Sequence, residues 1–575
     1  MGINVIQDFF FNNLKNEKAN ELYFRVFNGV LKQSERQFVL LEGGTLTTNT
    51  YFNSLPLKFI LENTLITHIG VHVKIKGNVL FRVILLKENL ERIILEKFID
   101  GFCDEIFWLN TISDKGKYDL AYVQFKALDK SIIENIEWVT DDSKKRTIKL
   151  AICCTTYNRP DDVKRLYNRL SEDSYLSEKC KLYIVNNGNA IDLKDTSFCR
   201  VIQNKNTGGT GGFMRGLLEA RHAHEFSHVM FIDDDAFCEP LSIKKAINIL
   251  EYANDDNSSV AGGMLYLDYP WIQYEAGAKL KSFNIESNNP NLDLREEYSL
   301  IINARTVDCA YGPWWFFIFP IKDDLKMSFP FFVRGDDVTF SLRNNFRPFI
   351  LNGICSWQES FDAKISPIVE YFAFRSFVMI SLLYLDVEPS NFALFKNIFS
   401  HIMREAGGYR YQIANALCIA LEDILAGSKF WEDHLEMGEH IKEISRKVGN
   451  MNMYMTPTAP IVDDEPLVGK GKKIIAAITL FGNLLPPFLC RRGKVVFGLG
   501  TRPFVAFAHK CIYQYSPENH AVYIFKRHPL RFFKIMVKSF YLTTQLIFKR
   551  TRLKSQYVKA LNKFESLKFW EENLK

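Results

Sequence analysis

Three aspartates in a row, Asp233-Asp234-Asp235, follow the apolar stretch Val229-Met230-Phe231-Ile232. A strand that ends in carboxylates concentrates negative charge, which is costly unless a cation neutralises it. An all-oxygen ligand set suits Mg²⁺ or Mn²⁺, ions that bridge to substrate phosphates. Asp233 and Asp235 point the same way if the strand runs on; a solvated acidic loop is the plainer alternative. A second carboxylate pair, Asp336-Asp337, follows Phe331-Phe332-Val333-Arg334-Gly335. It suits a general base, or equally a turn with a helix-capping Asp. Upstream lies Asn206-Thr207-Gly208-Gly209-Thr210-Gly211-Gly212-Phe213-Met214-Arg215-Gly216. Its glycines permit close backbone approach to a ligand and a tight turn into a helix, or make a flexible loop. No Gly-Lys-Ser/Thr follows, so it is not a P-loop, and it is not a GxGxxG after a first strand. Trp314 and Trp315 in Tyr311-Gly312-Pro313-Trp314-Trp315-Phe316-Phe317 suit stacking on sugar rings or burial in a core.

The elements that must position these residues alternate. Ile148 to Cys154 reads as a short apolar strand, and Asp161 or Asp162 caps a helix carrying Val163, Leu166 and Leu170. Leu182 to Val185 is a second strand ending in Asn186-Asn187-Gly188, Val201-Ile202 a third, and Val229 to Ile232 a fourth after the glycine-rich turn and a helix. Strands alternating with helices predict a parallel, doubly wound sheet, which binds ligands beyond the carboxyl ends of its strands. The first 140 or so residues instead alternate with period two: Val71, Val73 and Ile75 against His72, Lys74 and Lys76; Ala121, Val123 and Phe125 against Tyr122, Gln124 and Lys126. That predicts an antiparallel sandwich or barrel. The polar stretch Thr140 to Arg146 is the best linker candidate, residues 368–450 read as helical, and 451–470 are rich in Pro, Gly and acids. The expected units are 1–146, 147–367 and 368–575.

A length of 575 residues is too great for one ordinary core. Hydrophobic residues at 47% and charged residues at 24% exclude a largely disordered chain. The net charge of +6 is concentrated: residues 521–575 hold 13 Lys and Arg against three acids, a local balance of +10. Between Lys526 and Lys559 the bases interleave with Phe532, Phe533, Ile535, Met536, Val537, Phe540, Leu546, Ile547 and Phe548. In a helix this pattern suits an anionic membrane surface, or a helix packed on the protein's own core. No recognition motif accompanies the charge, so nucleic acid is not an expected partner. The 11 cysteines are odd in number and scattered without a CxxC pair, which predicts reduced thiols and a cytoplasmic setting. The start of the chain does not read as a signal peptide, and Ile6 stands where a myristoylation motif wants Ser or Thr. The run Ile474 to Cys490 is broken by Gly482, Asn483, Pro486 and Pro487, so no membrane span is expected there.

Taken together, the motifs resemble a GT-A glycosyltransferase of the large inverting family 2 type. The closer resemblance is to the mycobacterial galactan-polymerising galactofuranosyltransferases and their bacterial relatives. It is carried, in order, by Thr50-Tyr51-Phe52-Asn53, Thr156-Tyr157-Asn158-Arg159-Pro160, the Gly208 to Phe213 segment with Arg215, Asp233 to Asp235, Trp314-Trp315 and Asp336-Asp337. The resemblance implies an N-terminal β-sandwich, a central GT-A (Rossmann-like) domain and a helical C-terminal region, an α/β protein overall. It implies a donor pocket with Arg159 on the uracil, together with Asn187, Gly208, Gly209, Gly211, Gly212 and Asp234. It implies Mn²⁺ or Mg²⁺ on Asp233 and Asp235, Asp337 as general base with Asp336 beside it, and Trp314, Trp315 and Glu275 on the acceptor side.

Two residues depart from the family pattern. Where the family carries a Trp-His pair whose histidine binds metal, this chain has Trp357-Gln358, which leaves Gln358 as a weaker, neutral ligand. Where the family has a tryptophan before the Asp pair, this chain has Gly335, which opens the acceptor site. The resemblance then implies transfer of galactofuranose from UDP-galactofuranose to a lipid-linked or growing glycan, such as an O-antigen or capsule. The enzyme would be peripheral on the inner face of the cytoplasmic membrane, with a homo-oligomer left open. The alternatives are the same fold with another nucleotide-sugar donor, or a catalytically silent carbohydrate-binding protein.

Overall fold

The computed structural model describes residues 2–574 except 13, 15, 29–30, 35–36, 110–114, 282–283, 306–308, 360–365, 386, 457–459, 461–469, 498–502 and 517–519. The N-terminal part forms two antiparallel sheets. One has the order Leu31–Ser34, Gln37–Leu40, Ser131–Thr140, Gly70–Lys76, Phe102–Trp108, with Asn4–Asp8 also paired to Ser131–Thr140. The other has the order Arg25–Phe27, Thr45–Thr47, Leu120–Ala127, Val79–Lys87, Leu90–Ile99. The period-two pattern explains why they pack: Val71, Val73, Ile75, Val123 and Phe125 are all fully buried, and Phe81 of one sheet meets Phe107 of the other with centroids 5.2 Å apart.

The central sheet has seven strands in the order Cys199–Gln203, Cys180–Asn186, Leu150–Thr156, His228–Asp233, Phe317–Pro320, Ser258–Ala261, Arg347–Phe349. Its first four strands are parallel, as the alternation of strands and helices predicts. Phe317–Pro320 enters antiparallel to both its neighbours. Successive residues of the central strands face opposite cores. Ile152, Cys154, Met230 and Ile232 join the core shared with the N-terminal sheets, and Ala151, Cys153, Val229 and Phe231 join the core shared with the C-terminal helices. Both faces are therefore covered, which is why these strands read as unbroken apolar runs.

The helix after the first strand, Pro160–Ser171, starts on Pro160, and its N-cap residue Arg159 makes no side-chain cap. Asp161 and Asp162 thus sit in the first turn and not at the cap, favouring the positive end of the helix dipole. In the Thr140–Arg146 stretch, Thr140 ends the strand Ser131–Thr140 and the residues after it have no regular structure, yet they are tethered to both neighbouring parts. Asp142 accepts from the Thr67 and His68 amides at 2.6 and 2.9 Å, and Lys144 pairs with Glu251 at 2.5 Å.

After residue 366 come helices Pro367–Leu383, Asn391–Gly407, Tyr411–Ala426, Lys429–Asp433 and Gly438–Val448. The C-terminal region is not helical throughout. Met453–Met455, Ala521–Lys526, Cys511–Ser516 and Lys494–Phe497 form a four-stranded sheet in that order. Cys511–Ser516 and Ala521–Lys526 are sequence neighbours that pair antiparallel, while the two outer strands are short and come from further away in the chain. The chain then forms one long helix, Pro529–Phe564, whose Leu546, Tyr557 and Phe564 are fully buried. The short helix Leu567–Asn573 closes on the back of the glycine-rich helix: Trp570 donates to the Ser328 carbonyl at 3.0 Å, and Arg215 donates to the Leu574 carbonyl. Among the described residues no helix is long and apolar enough to cross a membrane.

Candidate active site

The acidic triplet stands at the carboxyl end of the central strand His228–Asp233, with Asp233 in register beside Thr155. The strand stops there and turns, yet Asp233 and Asp235 still converge. The Gln358 amide nitrogen lies 3.4 Å from Asp233 Oδ2 and 3.2 Å from Asp235 Oδ1. Asp234 turns the other way, accepting from Thr156 Oγ1 at 2.6 Å and from Arg159 Nη1 at 3.3 Å; the same Arg159 nitrogen pairs with Asp235. Burial, then the neighbouring carboxylates, push Asp233 up to about 7, and burial pushes Asp234 up to about 6.

Gln358 ends the strand Cys355–Gln358, which pairs with Phe237–Cys238 and Gly263–Tyr266 in a second, smaller sheet. Its neighbour Trp357 is fully buried between Phe52 and Phe237, with centroids 5.8 and 5.6 Å away. The Thr50–Asn53 motif thus braces the site from behind. The Asn53 side chain also bonds the backbone of Phe10 and Tyr23. Gln358 Oε1 is buried and has no partner. An orphaned amide oxygen beside two converging carboxylates is a donor set that fits a hard divalent cation. A second acidic grouping, His68, Asp141 and Asp142, lies elsewhere, where Asp142 is taken up by backbone amides.

The glycine segment is a helix start, not a loop. Gly208–His222 is helical, and Asn187 Nδ2 donates to the Gly208 carbonyl at 2.9 Å. Gly208 has φ +72, and a Cβ there would stand 2.1 Å from the Phe332 carbonyl oxygen. At Gly211 and Gly212 an added Cβ would strike Thr207 and Thr155, whereas at Gly209 it would find nothing closer than 3.8 Å. Three of the four glycines therefore serve close packing, and Gly209 alone borders open space. Arg215 points away from the site, to Glu219 and Leu574.

A cavity of about 670 Å³ joins the pieces; Gly209, Asp233, Glu275, Trp314, Trp315, Asp336 and Asp337 all line it. Asp336 and Asp337 form the first turn of the helix Asp336–Asn344. Asp336 accepts from Thr210 Oγ1 at 2.6 Å; burial, then Asp336, push Asp337 up to about 8. Glu275 accepts from Ser287 at 2.5 Å, keeps Oε1 unpartnered, and is pushed up to about 7 by burial. Both tryptophans are core and wall at once. Trp314 packs on Phe213 and Phe231, 5.0 Å to each, and Trp315 donates to the Gly262 carbonyl at 3.0 Å. Sequence reasoning did not single out Thr210, and although it read a helix from about residue 368, it did not place Pro367–Leu383 at the cavity, where Ala373, Ser376, Phe377 and Ile380 supply the far wall.

A mixed sheet with parallel strands thus ends in carboxylates at a cavity that also holds a second buried carboxylate pair, an arrangement compatible with a glycosyltransferase. The comparisons agree. The model of the family described as "Glycosyltransferase like family 2" matches residues 194–284. The chain is similar to the galactofuranosyltransferase GlfT2 of Mycolicibacterium smegmatis, 25% identical over 325 residues, 51% of this chain and 48% of that protein. It is also similar to GlfT2 of Mycobacterium tuberculosis, 22% identical over 412 residues, 66% of this chain and 64% of that protein. The chain thus matches about half to two thirds of these relatives' length. Among solved structures, S. aureus TarS 1-349 in complex with UDP aligns with a TM-score of 0.31 at 15% identity, covering 54% of this chain and 95% of that one. The mannosyltransferase PcManGT from Pyrobaculum calidifontis, in complex with GDP-Man and Mn²⁺, aligns with a TM-score of 0.27 at 11% identity, covering 54% and 86%. Neither superposition is close enough to speak for this chain.

Proposed function

We propose that this chain is a metal-dependent inverting glycosyltransferase that moves galactofuranose from UDP-galactofuranose onto a lipid-linked or growing cell-surface glycan. The observation that carries the proposal is the shared cavity: Asp233 of the acidic triplet and the Asp336-Asp337 pair line one space. Asp233, Asp235 and Gln358 would hold Mn²⁺ or Mg²⁺. A bound cation supplies charge for the departing diphosphate. Arg159, Asn187, Gly209 and Asp234 border the donor side; Arg159 leaves Asp235 when a nucleotide offers it a new partner. Asp337 takes the proton of the acceptor hydroxyl, and direct displacement at the anomeric carbon then inverts it. Its high pKa makes it a stronger base than an exposed aspartate once ionised. Glu275 Oε1 and Trp314 Nε1, both buried without partners, offer the acceptor hydroxyls hydrogen bonds.

In this reading the chain divides at about residues 146 and 367 into a β-sandwich unit, a GT-A unit and a C-terminal unit. The long helix Pro529–Phe564 meets the inner face of the cytoplasmic membrane. Its buried face excludes Phe532, Ile535 and Leu546 from that role. Its outer face shows Val537, Phe540 and Phe548, 55–86% exposed, beside the exposed bases Arg531, Lys534, Lys549 and Arg552. The test is incubation of the purified protein with Mn²⁺, a panel of UDP- and GDP-sugars and synthetic galactofuranoside acceptors, followed by mass spectrometry. Galactofuranosyl transfer supports the proposal. Transfer from another donor alone would replace the sugar assignment, and no transfer from any donor would favour a carbohydrate-binding protein.

A further inference from the structure

The helix Pro367–Leu383 buries Arg375 completely, yet no carboxylate pairs with its guanidinium directly among the described contacts. Such burial is unfavourable unless hydrogen bonds and ring faces replace the lost water. Here they do. Nη2 donates to the Phe331 carbonyl, and Nη1 donates to the Tyr371 hydroxyl at 3.1 Å. Tyr371 in turn donates to Asp423 at 2.6 Å, and His440 Nε2 lies 2.9 Å from the same oxygen. The Trp431 ring centroid lies 4.3 Å from the guanidinium carbon. One residue further on, Ser376 Oγ donates to the Arg334 carbonyl at 2.6 Å.

These two carbonyls bracket a strained strap. Phe332 has φ +72 and Arg334 φ +69, followed by Gly335 at +78. Two non-glycine residues in the left-handed region persist only where the surroundings hold them. The Thr210 amide donates to the Phe332 carbonyl at 3.0 Å, and the Phe332 ring stacks on Phe372 at 5.4 Å, which completes the hold. The strap runs directly into the helix that begins with Asp336 and Asp337, so its shape sets where those carboxylates stand. Arg375 itself does not line the cavity.

Building on the proposed role of Asp337, we propose that Arg375 is a positioning residue: through the Phe331 carbonyl, and with Ser376, it fixes the 331–335 strap and so aims Asp337 into the acceptor cavity. A lysine cannot reach the Phe331 carbonyl and the Tyr371 hydroxyl with one planar fork, so Arg375→Lys isolates the positioning role while keeping the charge.

The experiment uses the full chain carrying Arg375→Lys or, separately, Ser376→Ala. Hydrogen exchange is read peptide by peptide, beside steady-state kinetics with UDP-galactofuranose. Amides in 331–340 should exchange about tenfold faster or more, while the strand Leu150–Thr156 keeps its protection. Turnover should fall by about 10²-fold with the donor KM near that of the unaltered protein. Unchanged exchange in 331–340, or loss of protection spread evenly over the chain, would overturn the inference. If Arg375→Lys does not fold, Ser376→Ala, which removes one hydroxyl, decides on the same readouts. If the unaltered protein transfers no sugar, the glycosyltransferase reading fails, and the exchange data still decide whether the strap is held.

Discussion

Thr210 Oγ1 donates a 2.6 Å hydrogen bond to Oδ2 of Asp336, so the third residue of the glycine-rich helix touches the second acidic pair directly. The two segments are more than a hundred residues apart in sequence and meet at one hydroxyl. That bond favours the ionised carboxylate, against a burial that pushes Asp336 upward. It also couples the donor side of the cavity to the side where the acceptor would be deprotonated.

Thr210→Val keeps the side-chain shape and deletes the donor. The expected loss is about 1–3 kcal/mol of stability, the usual range for a buried polar group left unsatisfied. Thr210→Ser should lose much less. Urea denaturation of the two variants makes the comparison, and equal stabilities would remove the hydroxyl from the account.

Asp233→Ala or Asp235→Ala should abolish transfer, a loss of about 3 kcal/mol or more in transition-state stabilisation. Near-normal turnover in either variant would refute the metal assignment. Gln358→His adds a stronger ligand and should lower the Mn²⁺ concentration that gives half activity. An unchanged Mn²⁺ titration would place Gln358 outside the coordination sphere.

Asp337→Asn should cut turnover by about 10² or more while UDP binding, measured by calorimetry, stays near normal. If Asp336→Asn were the more damaging change, the roles would be exchanged. In the unaltered protein kcat/KM should rise with pH through about 8 as Asp337 ionises. The effect on stability has the opposite sign. The folded chain holds this proton to about 8, well above the ordinary carboxylate range, so its stabilising contribution is present in acid and is lost as pH rises through about 8. Asp337→Asn should therefore raise Tm at pH 8 and change it little at pH 4. A lower Tm at pH 8 would contradict the assignment of burial as the cause.

Gly208→Ala and Gly209→Ala should part company. The first places a methyl against the Phe332 carbonyl and demands φ +72 from an alanine, so folded yield should collapse. The second makes only ordinary contacts, the nearest at 3.8 Å, and should fold normally while weakening UDP binding. Indistinguishable UDP affinity would take Gly209 out of the donor site.

Val537→Ser with Phe548→Ser alters the exposed face of the long helix. The unaltered chain should pellet with anionic vesicles, release in high salt, and ignore neutral ones. The double variant should stay in the supernatant at unchanged Tm. Deleting the helix would not test this, because its inner face is core.

The parallel strands were legible in the sequence as short apolar runs alternating with helices, and two of them end in Asn186 and Asp233; their spatial order was not. The N-terminal sheets were legible through period-two burial at Val71–Ile75 and Val123–Phe125. The acidic triplet, the Asp pair and the tandem tryptophans were legible as motifs, and Asp233, Asp336, Asp337, Trp314 and Trp315 line one cavity. What could not be read was anything requiring the third dimension. Three glycines answer to Phe332, Thr207 and Thr155, none of them flagged by local pattern at a distance. The stripe of Phe532, Ile535 and Leu546 looks amphipathic either way, and only packing against the helices Asn391–Gly407 and Tyr411–Ala426 decides which part stays outside.

The contact of Trp570 with Ser328, and of Leu574 with Arg215, carries a consequence for the order of synthesis. The helix that begins with the donor-side glycines is covered on its back by the last residues described. A nascent chain that has emerged only as far as the Asp pair holds both acidic motifs but lacks Gln358 and the surface against which that helix seats. The back of the glycine-rich helix is therefore covered late, once the helix Leu567–Asn573 has emerged, and a chain released early would carry both acidic motifs with that helix bare on one side.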